Sequence, residues 1–250
     1  MKTESIVFTA PKKAELIKED VPKTGRNEVL VKLAVWHIGT FPLAAIRKCR
    51  IETGESAIVM GMGVLGMIAV KLLRTAGAVP VIAADPIPEK RKKALEIGAD
   101  YAFDPFAEDF AEQVRRVTGE GANAAIEVTG NGKALDTVLD CMAKFGRVAL
   151  LGCTRNSDFT IDYYKKVHGP GISLIGAHTS ARPNFESSHD MWTTHDDVMA
   201  IQKLVSFGRF NLQSLVEETH SPIDAEKVYS RLAAEKGFPV VQFDWSRIGE

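Results

Sequence analysis

The stretch ESAIVMGMGVLG, residues 55–66, places Gly61, Gly63 and Gly66 directly after a short apolar run and at the start of a second one, VLGMIAVKLL at 64–73. The next apolar run, PVIAAD at 80–85, ends on Asp85, nineteen residues after the last of those glycines. A bare G-x-G-x-x-G occurs by chance in many chains, and a glycine-rich turn with no ligand is its plain alternative. Here the strand before it, the helix after it and the acid at the next strand end supply the context that gives the pattern a mechanism. Gly61 permits a tight turn, Gly63 lets main chain approach a pyrophosphate, and Gly66 lets the helix pack close to the strand. The turn as a whole, with Met62, Val64 and Leu65 between the glycines, leads into a helix N-terminus whose free N–H groups and dipole favour a diphosphate. Asp85 would accept hydrogen bonds from ribose hydroxyls and repel a 2′-phosphate, so NAD(H) is expected over NADP(H).

Working outward, strands and helices alternate. Strands are predicted at AIVM (57–60), VPVIAAD (79–85), DYAFD (100–104), AAIEVTG (124–130), RVALLG (147–152) and ISLIGAH (172–178), with helices at 64–76, 89–97, 106–118 and 132–143. That order predicts an α/β chain with a doubly wound parallel sheet. Ligands on such sheets lie beyond the carboxyl ends of the strands, so the loops carrying Thr129-Gly130, Gly152-Cys153 and Gly176-Ala177 should ring one cleft. Their glycines would let main chain approach a flat ring.

On the N-terminal side, SIVFTA (5–10), AELIKEDV (14–21) and EVLVKLAVW (28–36) alternate as strands of a small antiparallel sheet, followed by a short helix at 43–49. After the sheet region, residues 179–197 form a long polar stretch of the kind that is usually functional or mobile. A helix starting at Thr193 or Thr194 follows it, then one more helix at 223–234 and a strand in PVVQFDW. The expected division is a Rossmann domain at 54–210 and a small, mostly β domain built from residues 1–53 and 211–250.

The 31 basic and 32 acidic residues balance, with no long run of either sign, which argues against a nucleic-acid or polybasic membrane surface. No stretch has the length of a membrane span, and the N-terminal residues lack a signal-peptide pattern. Cys49, Cys141 and Cys153 are widely spaced and odd in number, so buried free thiols and a reducing cytoplasm are expected.

With those pieces placed, the chain resembles the medium-chain dehydrogenase/reductase superfamily, which includes zinc-dependent alcohol, sorbitol and threonine dehydrogenases. GESAIVMGMGVLGMIAVKLLRTAGA (54–78) is similar to its coenzyme loop, and DPIPEKRKKALEIGADYAFDP (85–105) to the unit after it. Residues 124–152, ISLIGAH and SPIDAEKVYSRLAAEKGFPVVQFDW (221–245) continue the likeness. The resemblance implies a Rossmann sheet, a ribose-binding role for Asp85 with Lys90 flanking the adenosine ribose, and a nicotinamide lined by the three glycine loops. Lys90 as a solvated helix-start lysine and Thr129 as a packed strand end remain open alternatives. Relatives often dimerise through the edge strand matching residues 172–178, which implies a homodimer, with the 179–197 loop near the interface or the cleft.

The departure is as informative. Relatives carry a large GroES-like barrel between the first strands and the coenzyme loop, with a catalytic Cys, a His-Glu pair and often a structural zinc lobe. Here WHIGT (36–40) stands where that family has its cysteine-bearing strand end, and only thirteen residues separate Thr40 from Gly54. Catalytic zinc needs three converging protein ligands. The chain has no Gly-His-Glu motif and no clustered cysteines; a set drawn from Cys153, His178 and His37 is conceivable, but zinc-free operation is expected. A carbonyl oxygen gaining charge during hydride transfer must then be polarised by hydrogen-bond donors or a general acid. His37, Thr40 and His178 are the candidates, because they fall at predicted strand ends facing the nicotinamide, although each could be an ordinary polar loop residue. The expectation is a zinc-independent NAD(H)-dependent oxidoreductase of small alcohols or carbonyl compounds. The alternative is a catalytically silent NAD(H)-binding module serving as redox sensor or partner subunit.

Overall fold

The computed structural model describes residues 2–10, 13–20, 36–154, 159–235 and 239–247. The chain divides into two compact units, residues 35–215 and residues 1–34 together with 216–250.

The larger unit is the wound sheet. Its strands are β3 (Ala57–Met60), β4 (Val81–Ala84), β5 (Tyr101–Phe103), β6 (Ala122–Glu127), β7 (Met142–Leu150) and β8 (Ser173–Gly176). They pair in the order β5-β4-β3-β6-β7-β8, every pair parallel. The chain runs outward from β3 to β5, then returns to β6 on the other side of β3, so the switch point lies between β3 and β6. All four residues of β3 and of β4 are buried. That is why both strands read as unbroken Val/Ile/Ala/Met runs: helices cover both faces, and no solvent side exists to demand a polar residue.

The crossover helices are α2 (Val64–Ala76), α3 (Pro88–Ile97), α4 (Phe110–Thr118) and α5 (Gly132–Leu139). The predicted starts and ends of α2 coincide with those observed. The helix expected at 106–118 starts at Phe110, because Asp104 accepts the Phe106 N–H and turns the chain first. The helix expected at 132–143 ends at Leu139, and the chain is already in strand at Met142. Apolar residues from one sheet face and from α4 and α5 packed on it, among them Ile58, Ile82, Phe110, Val138 and Val148, form a core cluster.

Two further helices belong to this unit. The expected short helix at 43–49 is instead α1 (Trp36–Lys48), which begins at Trp36 and contains Pro42. The helix after the polar loop is α6 (Thr194–Ser206), capped at Thr193, whose hydroxyl accepts the Asp196 N–H. Gly39 in α1 faces Ile201 in α6: a Cβ there would lie 2.7 Å from the Ile201 Cδ1, so the glycine sets how closely the two helices approach. α1 packs on α2 and α6. Residues 36–53 therefore go with the sheet, which differs from the boundary expected at 53/54.

In the smaller unit, β1 (Lys2–Ala10) and β2 (Lys13–Asp20) form an antiparallel hairpin with a register shift between Phe8 and Ala10. The third expected strand, 28–36, lies outside the described residues except for Trp36. The same unit holds α7 (Ala225–Ala234), packed on β2, and a parallel pair of short strands, β9 (Glu218–His220) and β10 (Val241–Phe243). Among the described residues no helix is long and apolar enough to cross a membrane.

Candidate functional site

The loops at the carboxyl edge of the parallel sheet assemble the site. Gly61 has φ +98°, a left-handed conformation that L side chains resist, and its N–H donates to the Ala84 carbonyl at 2.8 Å. Gly66 is a matter of space instead: a Cβ there would lie 1.8 Å from the Gly61 carbonyl oxygen, so the first turn of α2 rests directly on the loop. Gly63 is exposed and has nothing within 4 Å of the position its Cβ would take. It ends the loop as the N-cap of α2, which has no side-chain cap and no acidic residue in its first turn. The N–H groups and positive dipole end of that turn are thus left open to an anion. Met62 buries its side chain completely, while Val64 and Leu65 are half-buried.

Asp85 follows β4 and is almost wholly buried. Its Oδ2 accepts the Met62 N–H at 2.7 Å and its Oδ1 accepts the Ile87 N–H at 2.9 Å. A carboxylate offers about four lone-pair sites, so two acceptor positions remain beyond the ones already used. Lys90, in the first turn of α3, is buried rather than solvated. An open glycine cradle at a helix N-terminus, next to a carboxylate with acceptor capacity to spare, fits a dinucleotide's diphosphate and ribose.

Across the switch point, Gly61 meets the β6 loop: a Cβ on it would lie 2.8 Å from the Thr129 Cγ2. That loop is organised by Glu127, the last residue of β6 and 2 % exposed. Its side chain accepts the Thr129 N–H at 2.7 Å, the Thr129 hydroxyl and the Gly130 N–H at 3.2 Å. Its carbonyl accepts both Leu151 and Gly152 N–H groups, at 2.9 and 2.8 Å. A Cβ on Gly152 would lie 2.1 Å from the Gly130 nitrogen, and one on Gly130 would lie 2.8 Å from the main chain of Cys153. These two glycines are therefore required for loop-on-loop contact, a reason separate from the ring approach expected from sequence. Gly176 has open space around it. Thr129 and Cys153 are exposed, which corrects the expectation that all three cysteines are buried. Cys49 and Cys141 are buried, and burial pushes both thiols up to about 12.

The β8 side is held by long-range cations. Ala177 is buried and donates its N–H to the Leu150 carbonyl. The Lys48 Nζ, at the end of α1, donates to the Gly176 and Ala181 carbonyls at 2.9 and 2.6 Å; burial, then Arg182, holds its pKa below the usual lysine value. The Arg182 Nη2 donates to the Thr40 carbonyl at 2.6 Å and its Nη1 pairs with the Asp197 Oδ2 at 3.0 Å; Arg47 pairs with the other oxygen of Asp197. Arg47 also lies over the Trp192 ring, 3.5 Å from its centroid. Burial lowers both arginines' pKa and raises that of Asp197 to about 6, against the pull of Arg47 and Arg182. The polar 179–197 stretch is thereby clamped to α1 and α6.

Of the three candidate proton donors, His178 alone stands as expected, exposed at the end of a strand, with Nδ1 2.8 Å from the Ser180 hydroxyl. His37 and Thr40 lie in α1, not at a strand end, and Thr40 is fully buried. Sequence reasoning missed Glu127, Lys48 and the Arg47–Asp197–Arg182 cluster. Only Glu127 had a local signal, an ionisable residue inside an otherwise apolar strand. Among the described residues no group of three His, Cys, Asp or Glu side chains gathers to hold a metal, so they do not supply the three ligands of a catalytic zinc.

Comparison with known proteins agrees with this architecture. Residues 64–194 match the family model described as zinc-binding dehydrogenase. The L-threonine 3-dehydrogenase of Pyrococcus horikoshii is 28% identical over 191 residues, covering 76% of this chain and 51% of its own length. The chain thus spans about half the length of that relative. The 2R,3R-butanediol dehydrogenase of Bacillus subtilis superposes with a TM-score of 0.71 at 22% identity, over 91% of this chain and 60% of that one. A zinc-binding dehydrogenase of Sinorhizobium meliloti bound to NADP superposes with a TM-score of 0.69 at 22% identity, over 84% and 58%. With its wound sheet, its glycine turn and a family match over more than half of its residues, the chain belongs to the zinc-binding dehydrogenases of the medium-chain dehydrogenase/reductase superfamily.

Proposed function

We propose that this chain is an NAD(H)-dependent oxidoreductase acting on a small alcohol or carbonyl compound without zinc. The observation that carries the reading is the open Gly63 turn at the α2 N-terminus, with the Asp85 carboxylate beside it at the sheet's carboxyl edge. When bound, the nicotinamide coenzyme supplies or accepts the hydride. The chain's own contribution is to hold the diphosphate on main-chain N–H groups, the ribose on Asp85, and the ring against the loops after β6, β7 and β8. Lys90 is assigned beside the adenosine ribose. Asp85 carries the negative charge that disfavours a 2′-phosphate, so NAD(H) is preferred.

Without zinc, substrate polarisation falls to a protein donor. We assign that role to His178: its Nδ1 faces the Ser180 hydroxyl, which leaves Nε2 to reach substrate. Thr40, buried under the Arg182 contact, is assigned to holding α1, and His37 is the second candidate donor. The silent NAD(H)-binding module is the second reading, favoured by the full burial of Thr40, a candidate donor, within α1 rather than at a strand end.

The test is an NADH titration by fluorescence, followed by a panel of alcohols and aldehydes at the NADH absorbance band. Binding with turnover that His178→Ala lowers by about 100-fold is expected, within the range for loss of a general acid. Binding without turnover across the panel would establish the silent module instead, and no binding of either coenzyme form would remove both readings.

β8 is the terminal strand of its sheet, and Ser173, Leu174 and Gly176 on it are exposed. Such an edge pairs readily with a second copy, and we assign the homodimer interface to it. Light scattering should give twice the chain mass at micromolar concentration, and Leu174→Lys should shift the protein to monomer. A monomeric parent protein would refute the assignment.

A further inference from the structure

Resting on the coenzyme reading above, we infer that Glu127 is a positioning residue that shapes the main chain against which the nicotinamide half of the coenzyme lies. Three observations carry this. Glu127 is a 2 % exposed carboxylate at the switch point, the place on the sheet edge where a dinucleotide crosses from one half to the other. The hydrogen bonds its side chain accepts all come from one loop, from the Thr129 and Gly130 N–H groups and the Thr129 hydroxyl, while its Oε2 lies against Gly152 of the second loop, 2.9 Å from where a Cβ would stand. Its own carbonyl and the Thr154 hydroxyl, which donates to the Gly130 carbonyl at 2.9 Å, fasten the second loop to the first.

The chemistry selects a carboxylate. Two N–H groups and one O–H converge on the side chain, all of them donors, and an ionised carboxyl is the only side-chain group of this size that is acceptor-only at every position. The Thr129 hydroxyl spends its proton on Glu127 and accepts the Asn131 N–H at 3.0 Å, so the order passes along the loop to the start of α5. A glutamine would turn an amide N–H toward at least one donor and force that loop segment to move. The diphosphate cradle at residues 61–66 and the Asp85 ribose site use other bonds, so they are left in place.

Glu127→Gln and wild type are compared for binding of NADH and of ADP-ribose, which keeps the adenosine, diphosphate and second ribose but lacks the nicotinamide. NADH affinity should fall about tenfold while ADP-ribose affinity stays within twofold. A joint fall of both ligands would mean a merely structural role, and no change in either would mean that the loops do not depend on the carboxylate; each overturns the inference. Thr154→Val, on an exposed residue whose loss does not threaten folding, breaks only the cross-loop bond. It should reproduce the same split at about threefold, and an ADP-ribose loss equal to the NADH loss would again refute the role. Failure of wild type to bind ADP-ribose at all would instead strike the coenzyme reading beneath it.

Discussion

Asp85→Ala is expected to weaken NADH binding by roughly 100-fold while leaving NADPH binding far less affected. Two ribose hydroxyls bonded to a charged acceptor contribute about 1.5 kcal/mol each or somewhat more, and their joint loss of about 3 kcal/mol corresponds to that factor. The 2′-phosphate of NADPH already forgoes those bonds and gains from removal of a negative charge, so the ratio of the two affinities should contract toward one. The same carboxylate also accepts the Met62 and Ile87 N–H groups, and the first of these bonds lies out of water. Stranding those donors should cost about 2 kcal/mol. For a chain of this size that lowers Tm by roughly 4–8 °C. Calorimetry and paired NADH and NADPH titrations check both effects. Unchanged affinity for both coenzymes would show that Asp85 serves the loop alone.

The parts of this site that the sequence announces are those made by neighbours in the chain. The Gly61 turn, α2 and Asp85 are legible because each glycine's role is fixed within six residues and the acid must fall at the next strand end. α1 is not legible in the same way. WHIGT continues the strand-like EVLVKLAVW and stands where relatives have a strand end, whereas it opens a helix in which Gly39 is small because Ile201 needs the room. That reason lies more than 150 residues away in the chain. The glycines at 130 and 152 are visible as glycines, but their purpose depends on two loops meeting through Glu127. Placing His37 and Thr40 at the cleft rested on reading them at a strand end, whereas both lie in α1; His178 does follow the well-marked β8. Periodicity records which face of an element is buried; it does not record which distant polar group that face meets.

The Arg47–Asp197–Arg182 cluster is the extreme of that limit, and Arg182→Ala is expected to be the most destabilising of the single changes considered. The Arg182 side chain is 6% exposed and that of Asp197 is fully buried, so the variant leaves a buried carboxylate with one partner instead of two and removes the guanidinium donor from the Thr40 carbonyl. Breaking a buried pair by removing one member costs about 3 kcal/mol or more, or roughly 6–12 °C in Tm. Arg50→Ala is the contrast: Arg50 pairs with Asp190 at 2.5 Å, but its side chain is 71% exposed, so the change should cost under about 1 kcal/mol. The pH dependence follows from Asp197, whose carboxyl burial raises to about 6 from an ordinary 3.8. Between those values the native chain holds a proton that the unfolded chain has released. Stability from this group is therefore full below the lower value and lost as pH rises through the upper one. Removing Arg182, which pulls that pKa down, raises it further and widens the window. The deficit of Arg182→Ala should accordingly be larger at pH 8 than at pH 5, where Asp197 is largely neutral in both proteins. Thermal melts of wild type, Arg182→Ala and Arg50→Ala at the two pH values measure this directly, and an Arg182→Ala deficit that is the same at both would mean that the guanidinium acts through packing and the Thr40 carbonyl rather than through the charge of Asp197.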